Sequence, residues 1–240
     1  MCIIVEGGKN MRVDRKETKY RLNVTEYGNL CSLLPRMLEP DINNGDYGYY
    51  IRSLYFDSIN DNDYFEKVNG VEVRKKIRLR VYGDKKKVKL EIKRKMGAFQ
   101  RKDSLWISME DAMKLQACDY DCLDNYEDEL AGEIRHLLVA GGYKPVVLID
   151  YLRKAYTSLA NDTRVTLDSE LRSSEFDLDL FSDGDQLIPV QDNYFAILEI
   201  KSSGGLPRWI SRQLSGIEEA SRAVSKYSNS RWFYEENNML

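Results

Sequence analysis

The chain has 240 residues, with 36 Lys and Arg against 39 Asp and Glu and a net charge of −3. That length holds one large domain or two small ones with a real core, and the faintly acidic balance excludes a general nucleic-acid binder, whose domain carries an overall basic excess. No apolar run reaches the ~18 residues that a membrane span needs, and Cys2 to Val5 is too short for a signal-peptide core. Cys2, Cys31, Cys118 and Cys122 show no zinc spacing and read as reduced structural thiols in a cytoplasmic protein.

Residues 14–22 alternate as a strand with Arg15, Glu17, Lys19 and Arg21 on one face. Over residues 25–38, Leu30, Leu33, Leu34, Met37 and Leu38 follow the helical period, with a kink expected at Pro35. A loop from Asp41 to Gly48 leads into a strand at Tyr50–Asp57. Two strands of a hairpin then span Val73 to Lys95, turning at Gly83-Asp84. Arg74, Lys76, Arg78 and Arg80 alternate with Val73, Ile77, Leu79 and Val81, and Lys87, Lys89, Glu91, Lys93 and Lys95 alternate with Val88, Leu90 and Ile92. Residues 71–102 hold 14 Lys and Arg against 3 Asp and Glu, so one face of this hairpin awaits a strong anion.

A further strand is expected at Ser104–Ser108, helices at Asp111–Ala117 and Glu127–Ala140, and strands at Val146–Tyr156, Thr163–Asp168 and Tyr194–Ser202. A last helix is expected from Pro207, a favoured first-turn residue, to about Tyr227. The acidic run over residues 168–192 reads as a solvated loop or edge. The one histidine, His136, sits beside Leu137 on a helix as a surface or core-edge residue, so no histidine chemistry is expected.

The segment Leu90-Glu91-Ile92-Lys93 recurs as Leu198-Glu199-Ile200-Lys201, pointing to two related β-rich halves that close on one another. Strands with one polar face suit either a sheet wetted on one side or a barrel with a charged interior. Solvated faces intersperse both signs, whereas these are mainly basic, so a basic tunnel is the sharper expectation: at least ten cations with few acids to pair them.

These residues resemble a known family. Ser53-Leu-Tyr-Phe-Asp57, Arg74-x-Lys76-x-Arg78-x-Arg80-x-Tyr82, Leu90-Glu-Ile-Lys93, Tyr151-x-Arg153-x-Ala155-Tyr156, Arg164-Val-Thr-Leu-Asp168, Leu198-Glu-Ile-Lys201 and Ser225-Lys226-Tyr227 are similar to the catalytic domain of the vacuolar transporter chaperone (VTC) polyphosphate polymerases, among the triphosphate tunnel metalloenzymes. The resemblance runs from about Arg15 to Tyr227. It implies one α+β domain over residues 1–240, an eight-stranded antiparallel β-barrel of the triphosphate tunnel type with flanking helices. It also implies transfer of the γ-phosphate of ATP to a growing polyphosphate chain, with Mn²⁺ or Mg²⁺.

By that resemblance Lys19, Arg78, Arg80, Lys93, Arg153 and Arg164 form the triphosphate-binding catalytic set. Lys76, Lys102, Lys201, Ser225 and Lys226 contact the chain, and Glu199 holds the metal. Guanidinium forks suit phosphoryl oxygens and lysines act as mobile point charges, which fits a reaction governed by positioning and charge neutralisation. For Glu91 an ion pair is the better reading, and for Tyr55 and Tyr151 packing or support of a neighbour.

The chain departs from the wider pattern in two places. Arg15-x-Glu17-x-Lys19 stands where tunnel hydrolases and cyclases carry Glu-x-Glu-x-Lys, which favours the polymerase branch. Ala223 stands where eukaryotic members carry a lysine. Hydrolysis of a triphosphate in the same tunnel and a non-catalytic polyphosphate binder are the competing readings. A cytoplasmic enzyme is implied, with peripheral docking to a separate membrane protein left open.

Overall fold

A computed structural model describes residues 2–4, 11–13, 16–83, 87–97, 99–158, 162–190, 194–203, 208–217 and 224–237. In chain order its elements are β1 (Cys2–Ile4), β2 (Met11–Val13), β3 (Lys16–Leu22), α1 (Val24–Met37), β4 (Glu39–Pro40), β5 (Tyr49–Ser58), α2 (Asn62–Val68), β6 (Val73–Tyr82), β7 (Val88–Met96) and β8 (Phe99–Ile107). They continue with α3 (Met109–Gln116), α4 (Glu129–Ala140), β9 (Tyr143–Ser158), β10 (Thr163–Ser174), β11 (Ile188–Pro189), β12 (Ala196–Ser202), α5 (Arg208–Gln213) and α6 (Lys226–Asn237).

One sheet runs in the order β2-β1-β8-β7-β6-β5-β9-β10-β12-β3. From β8 to β3 its eight strands are antiparallel throughout, as the sequence predicts. They curl into a half-barrel: among the described residues no ladder joins β3 to β8. The short β1 instead adds to β8 in parallel.

The period-2 pattern divides each strand between the two faces of the curl. On the outside, Ile77, Leu79, Val81, Val88, Leu90 and Ile92 are buried beneath α3 and α4. Tyr20, Leu22, Val165, Leu167, Leu198 and Ile200 are buried with Leu30 and Leu34 of α1. Helix α1 starts where Asn23 and Glu26 form a reciprocal capping box, and it continues past Pro35 to Met37. The two copies of Leu-Glu-Ile-Lys therefore do the same job. Each buries its Leu and Ile outside and turns its Glu and Lys to the concave face.

Two elements correct the sequence reading. The tail is not one helix: α5 ends at Gln213 in a turn, and a second helix, α6, occupies Lys226–Asn237. Pro207, Arg222 and Ala223 lie outside the described residues, as do Arg15 and the turn residue Asp84. Helix α2 was not expected at all. It is anchored by Asp57, fully buried, whose carboxylate accepts the backbone N–H groups of Ser58, Asp63 and Tyr64. The same carboxylate accepts the hydroxyl of Tyr227, so Asp57 ties α6 into the concavity. There Tyr227 stacks on Tyr55 with ring centroids 5.0 Å apart.

No helix among the described residues is long and apolar enough to cross a membrane. Cys31, Cys118 and Cys122 are free, and His136 lies exposed on α4.

Candidate active site

Alternation sends Lys76, Arg78 and Arg80 of β6, Glu91 and Lys93 of β7, and Lys102 of β8 to the concave face. Arg153 of β9, Asp168 of β10, Glu199 and Lys201 of β12, and Glu17 and Lys19 of β3 join them there. They gather around acids in three clusters.

Glu91, 1 % exposed, anchors the first. Arg78 grips it through Nε at 2.7 Å and Nη2 at 2.6 Å, Lys102 donates to its other oxygen at 2.8 Å, and Arg80 stands 3.7 Å away. Burial pushes the Glu91 carboxyl up, but Arg78, Arg80 and Lys102 together hold it far below the carboxylate range. Both arginines also meet neutral groups. Arg78 donates to the Tyr55 hydroxyl at 2.8 Å, and Arg80 donates to Ser53 at 3.1 Å and Tyr151 at 3.4 Å. Tyr55 and Tyr151 thus support the forks, as expected.

The second cluster joins β3 to β12. Lys201 lies 2.8 Å from Glu199 and 3.8 Å from Glu17, while Lys19 lies 3.2 Å from Glu17 and 3.7 Å from Glu199. Burial disfavours ionisation of Glu199, yet Lys201, Lys19 and Arg153 hold it well below its usual range. Lys93 faces this group from β7. Burial lowers its ammonium, Glu17 opposes that, and Lys19 and Lys201 add to it.

In the third cluster Arg153 forks Asp168 through Nε at 2.6 Å and Nη2 at 2.7 Å, and Lys226 donates to the same carboxylate at 2.5 Å. The acidic-run reading is therefore corrected for Asp168, which is 3 % exposed inside the concavity. Gly48 sets the position of Arg153: its φ is +105°, and a Cβ there would lie 2.6 Å from the Arg153 carbonyl oxygen, so any side chain would displace β9.

The remaining candidates are more scattered. Arg164 lies on β10 directly opposite Lys201 and so shares the concave face, but it is 43 % exposed and paired with Asp41 at 3.2 Å. Ser225 accepts from Lys76 at 2.8 Å just ahead of α6. Beyond that hydroxyl, Lys76 has the Tyr227 ring 5.0 Å away. Burial and then Lys67, Lys93, Lys19 and Arg74 drive its ammonium well below the ordinary value of 10.5.

The expected shortage of acids is corrected for most of the cations. Glu17, Glu91, Asp168 and Glu199 neutralise them, and the remaining self-repulsion falls on Lys93 and most heavily on Lys76. Charging the Lys76 amine therefore costs the fold stability. Stability is expected to rise with pH from the folded-state pKa of Lys76 towards 10.5, where the unfolded amine also loses its proton. Replacing Lys76 with Met is expected to raise the melting temperature by about 2–4 °C, roughly 1 kcal/mol, and to flatten that rise. Melting curves of both proteins between neutral pH and the ordinary lysine pKa check this. A lower melting temperature in the variant would show that Lys76 is well solvated.

The donor set around Glu199 and Glu17 consists of carboxylate oxygens, which suits a hard cation such as Mg²⁺ or Mn²⁺. No group of three or more His, Cys, Asp and Glu among the described residues could hold a metal by itself, so such a cation would take its other ligands from phosphate and water.

A concave face of forked arginines and lysines on an eight-stranded curl defines a protein of the triphosphate tunnel fold. The chain is similar to an adenylyl cyclase-assigned protein of Hippeastrum with a dominant triphosphatase activity, at TM-score 0.55 and 14% identity over 90% of this chain and 94% of that one. It is also similar to an adenylate cyclase candidate from Vibrio parahaemolyticus, at TM-score 0.48 and 14% identity over 92% and 97% of the two chains. No curated protein matches it in sequence. Residues 14–233 match the VTC domain, and the chain belongs to that family.

Proposed function

We propose that this chain is an ATP-dependent polyphosphate polymerase that lengthens inorganic polyphosphate along its concave face. The observation that carries this reading is the row Lys76–Lys93–Lys102, three lysines directly opposite one another on adjacent strands. Like charges so placed destabilise a sheet unless an anion lies across them. The row runs across β6, β7 and β8 beside the Arg78–Arg80 pair, which suits an anion that extends over several strands.

In this reading Arg78, Arg80, Lys19, Lys93, Arg153 and Arg164 position the ATP triphosphate and neutralise charge on the transferring phosphoryl group. Lys76, Lys102, Lys201, Ser225 and Lys226 hold the acceptor chain, whose terminal phosphate attacks the γ-phosphorus as ADP leaves. That acceptor is already an anion, so no general base is needed. Glu199, with Glu17 beside it, would hold Mn²⁺ or Mg²⁺, which when bound supplies further neutralisation of phosphate charge.

A triphosphate hydrolase is the second reading. The triphosphatase activity of the Hippeastrum neighbour favours it, and the same cations serve it. Incubation with ATP and Mn²⁺ followed by gel electrophoresis separates the readings. A ladder of long chains supports the polymerase, orthophosphate alone replaces it with the hydrolase, and unchanged ATP leaves a binding protein.

A further inference from the structure

A polymer needs an acceptor before any chain exists, and the residues around Lys76 supply one. The Lys76 amine on β6 lies 2.8 Å from the hydroxyl of Ser225, just ahead of α6. That hydroxyl is half-buried and accepts the N–H of Ser228 at 3.3 Å, while the Ser225 carbonyl accepts the N–H of Asn229 at 2.9 Å. Ser225 is therefore the N-cap of α6, a helix of 12 residues whose unpaired N–H groups favour negative charge at that end.

The amine is equally specialised. Burial comes first, followed by Lys67, Lys93, Lys19 and Arg74, in holding Lys76 well below the ordinary lysine value of 10.5. An ammonium crowded by cations gives up its proton readily, and the free amine then accepts one from the adjacent hydroxyl. A serine beside such a base is an activated nucleophile.

The surroundings also suit the product of an attack by that serine. Lys19 donates to the carbonyl of Val224, the residue before Ser225, at 3.3 Å. A phosphate carried on Ser225 Oγ would meet Lys76, the α6 N-terminus and the approach of Lys19, and such ends of helices receive phosphate well.

We propose that Ser225 is a phosphoryl acceptor, taking the first γ-phosphate from ATP so that a polyphosphate chain begins covalently on the protein. In that step Ser225 Oγ bonds to the γ-phosphorus as the bond from phosphorus to the β,γ-bridging oxygen breaks. ADP leaves with that electron pair, and the hydroxyl proton passes to Lys76 Nζ. The step occurs once per chain, so Lys76 need not be reset: its new charge becomes the counter-ion of the new phosphate. Later transfers use the phosphate at the growing end, which needs no base. The inference rests on the polymerase reading and adds to it the origin of the chain.

The test is incubation with γ-labelled ATP and Mn²⁺, denaturation, removal of free phosphate and chains, and mass spectrometry of the peptide holding Ser225. Two variants are compared with the wild type. Ser225→Asn keeps a favoured helix cap without the nucleophile, and Lys76→Arg keeps a charge in a group that cannot take a proton. The denatured wild type is expected to carry phosphate on Ser225. Ser225→Asn is expected to carry none, and to begin its chains after a lag that added tripolyphosphate, a ready-made acceptor, removes. Lys76→Arg should label at least about 10²-fold more slowly, the scale of losing one positioned base. Should either variant fail to fold, the wild-type spectrum decides alone.

Chains made by a wild type with no phosphate on Ser225 would overturn the priming role and leave the polymerase reading intact. Labelling of Lys76→Arg at the wild-type rate would overturn the role of Lys76 as proton acceptor. A wild type that forms neither chains nor labelled protein would overturn both readings.

Discussion

Glu91→Gln is expected to remove about 3–5 kcal/mol of folding stability, the usual cost of deleting one partner of a buried ion pair. The reason is local. One carboxylate, 1 % exposed, carries both bonds of the Arg78 fork and one from Lys102, with Arg80 close by. A neutral amide leaves the largely buried Arg78 and Arg80 facing one another and the partly exposed Lys102 without their shared acid. Against the 5–15 kcal/mol typical of a domain, that is a large fraction.

The effect depends on pH with a definite sign. The folded-state pKa of Glu91 lies far below the ordinary 4.5, so its contribution is complete above that value and lost as pH falls. Urea denaturation of wild type and variant should therefore converge in acid and separate towards neutrality. Replacing Arg78 by Met in the variant background should recover part of the loss. A deficit under about 1 kcal/mol at neutral pH would mean that the cations relax into solvent, and that Glu91 is not their anchor.

Glu199→Gln is expected to cost less folding stability than Glu91→Gln and to abolish turnover. Lys19 and Lys201 keep a second acid within reach, since Glu17 lies 3.2 Å from one and 3.8 Å from the other. Loss of Glu199 therefore strands no lysine. If Glu199 holds the divalent cation, product formation with ATP and Mn²⁺ should fall at least about 10²-fold, the scale of removing one electrostatic stabiliser from a transition state. Tripolyphosphate affinity should hold or rise, because a competing negative charge has gone. Normal product ladders from the variant would remove Glu199 from the mechanism.

The sequence reading was strongest where side chains alternate. Every second residue from Arg74 to Arg80 and from Lys89 to Lys95 is charged, with mostly apolar residues between them, and a one-residue slip would bury the lysines, so strand, register and inner face were legible together. The Leu-Glu-Ile-Lys echo carried the same information for β12. What alternation cannot encode is pairing across the concavity. Asp168 meets Arg153 and Lys226 only because β9, β10 and α6 converge, and in the linear chain it looks like the first member of an acidic loop. Helix α6 was hidden for a related reason. Its Tyr227 and Tyr234 are buried while polar and charged residues surround them, so no apolar stripe announces it. The short α2 depends on Asp57, outside the helix, and not on its own propensity.

The lumenal carboxylates have a consequence for selectivity. The site carries its own resident anions, so if the proposed function holds, loading it is an exchange: each incoming phosphate would have to displace Glu91, Asp168, Glu199 or Glu17 from a cation that already has a partner. A monovalent anion such as chloride offers too little charge for that displacement, whereas a chain with one charge at every link succeeds at several positions together. Because the cations are mostly paired from within, few counterions are freed on loading. The dependence of affinity on salt should therefore be shallower than the number of lumenal Lys and Arg residues implies. On the polyphosphate reading, the interior acids would act as a threshold that a dense, connected polyanion crosses and a monovalent anion does not.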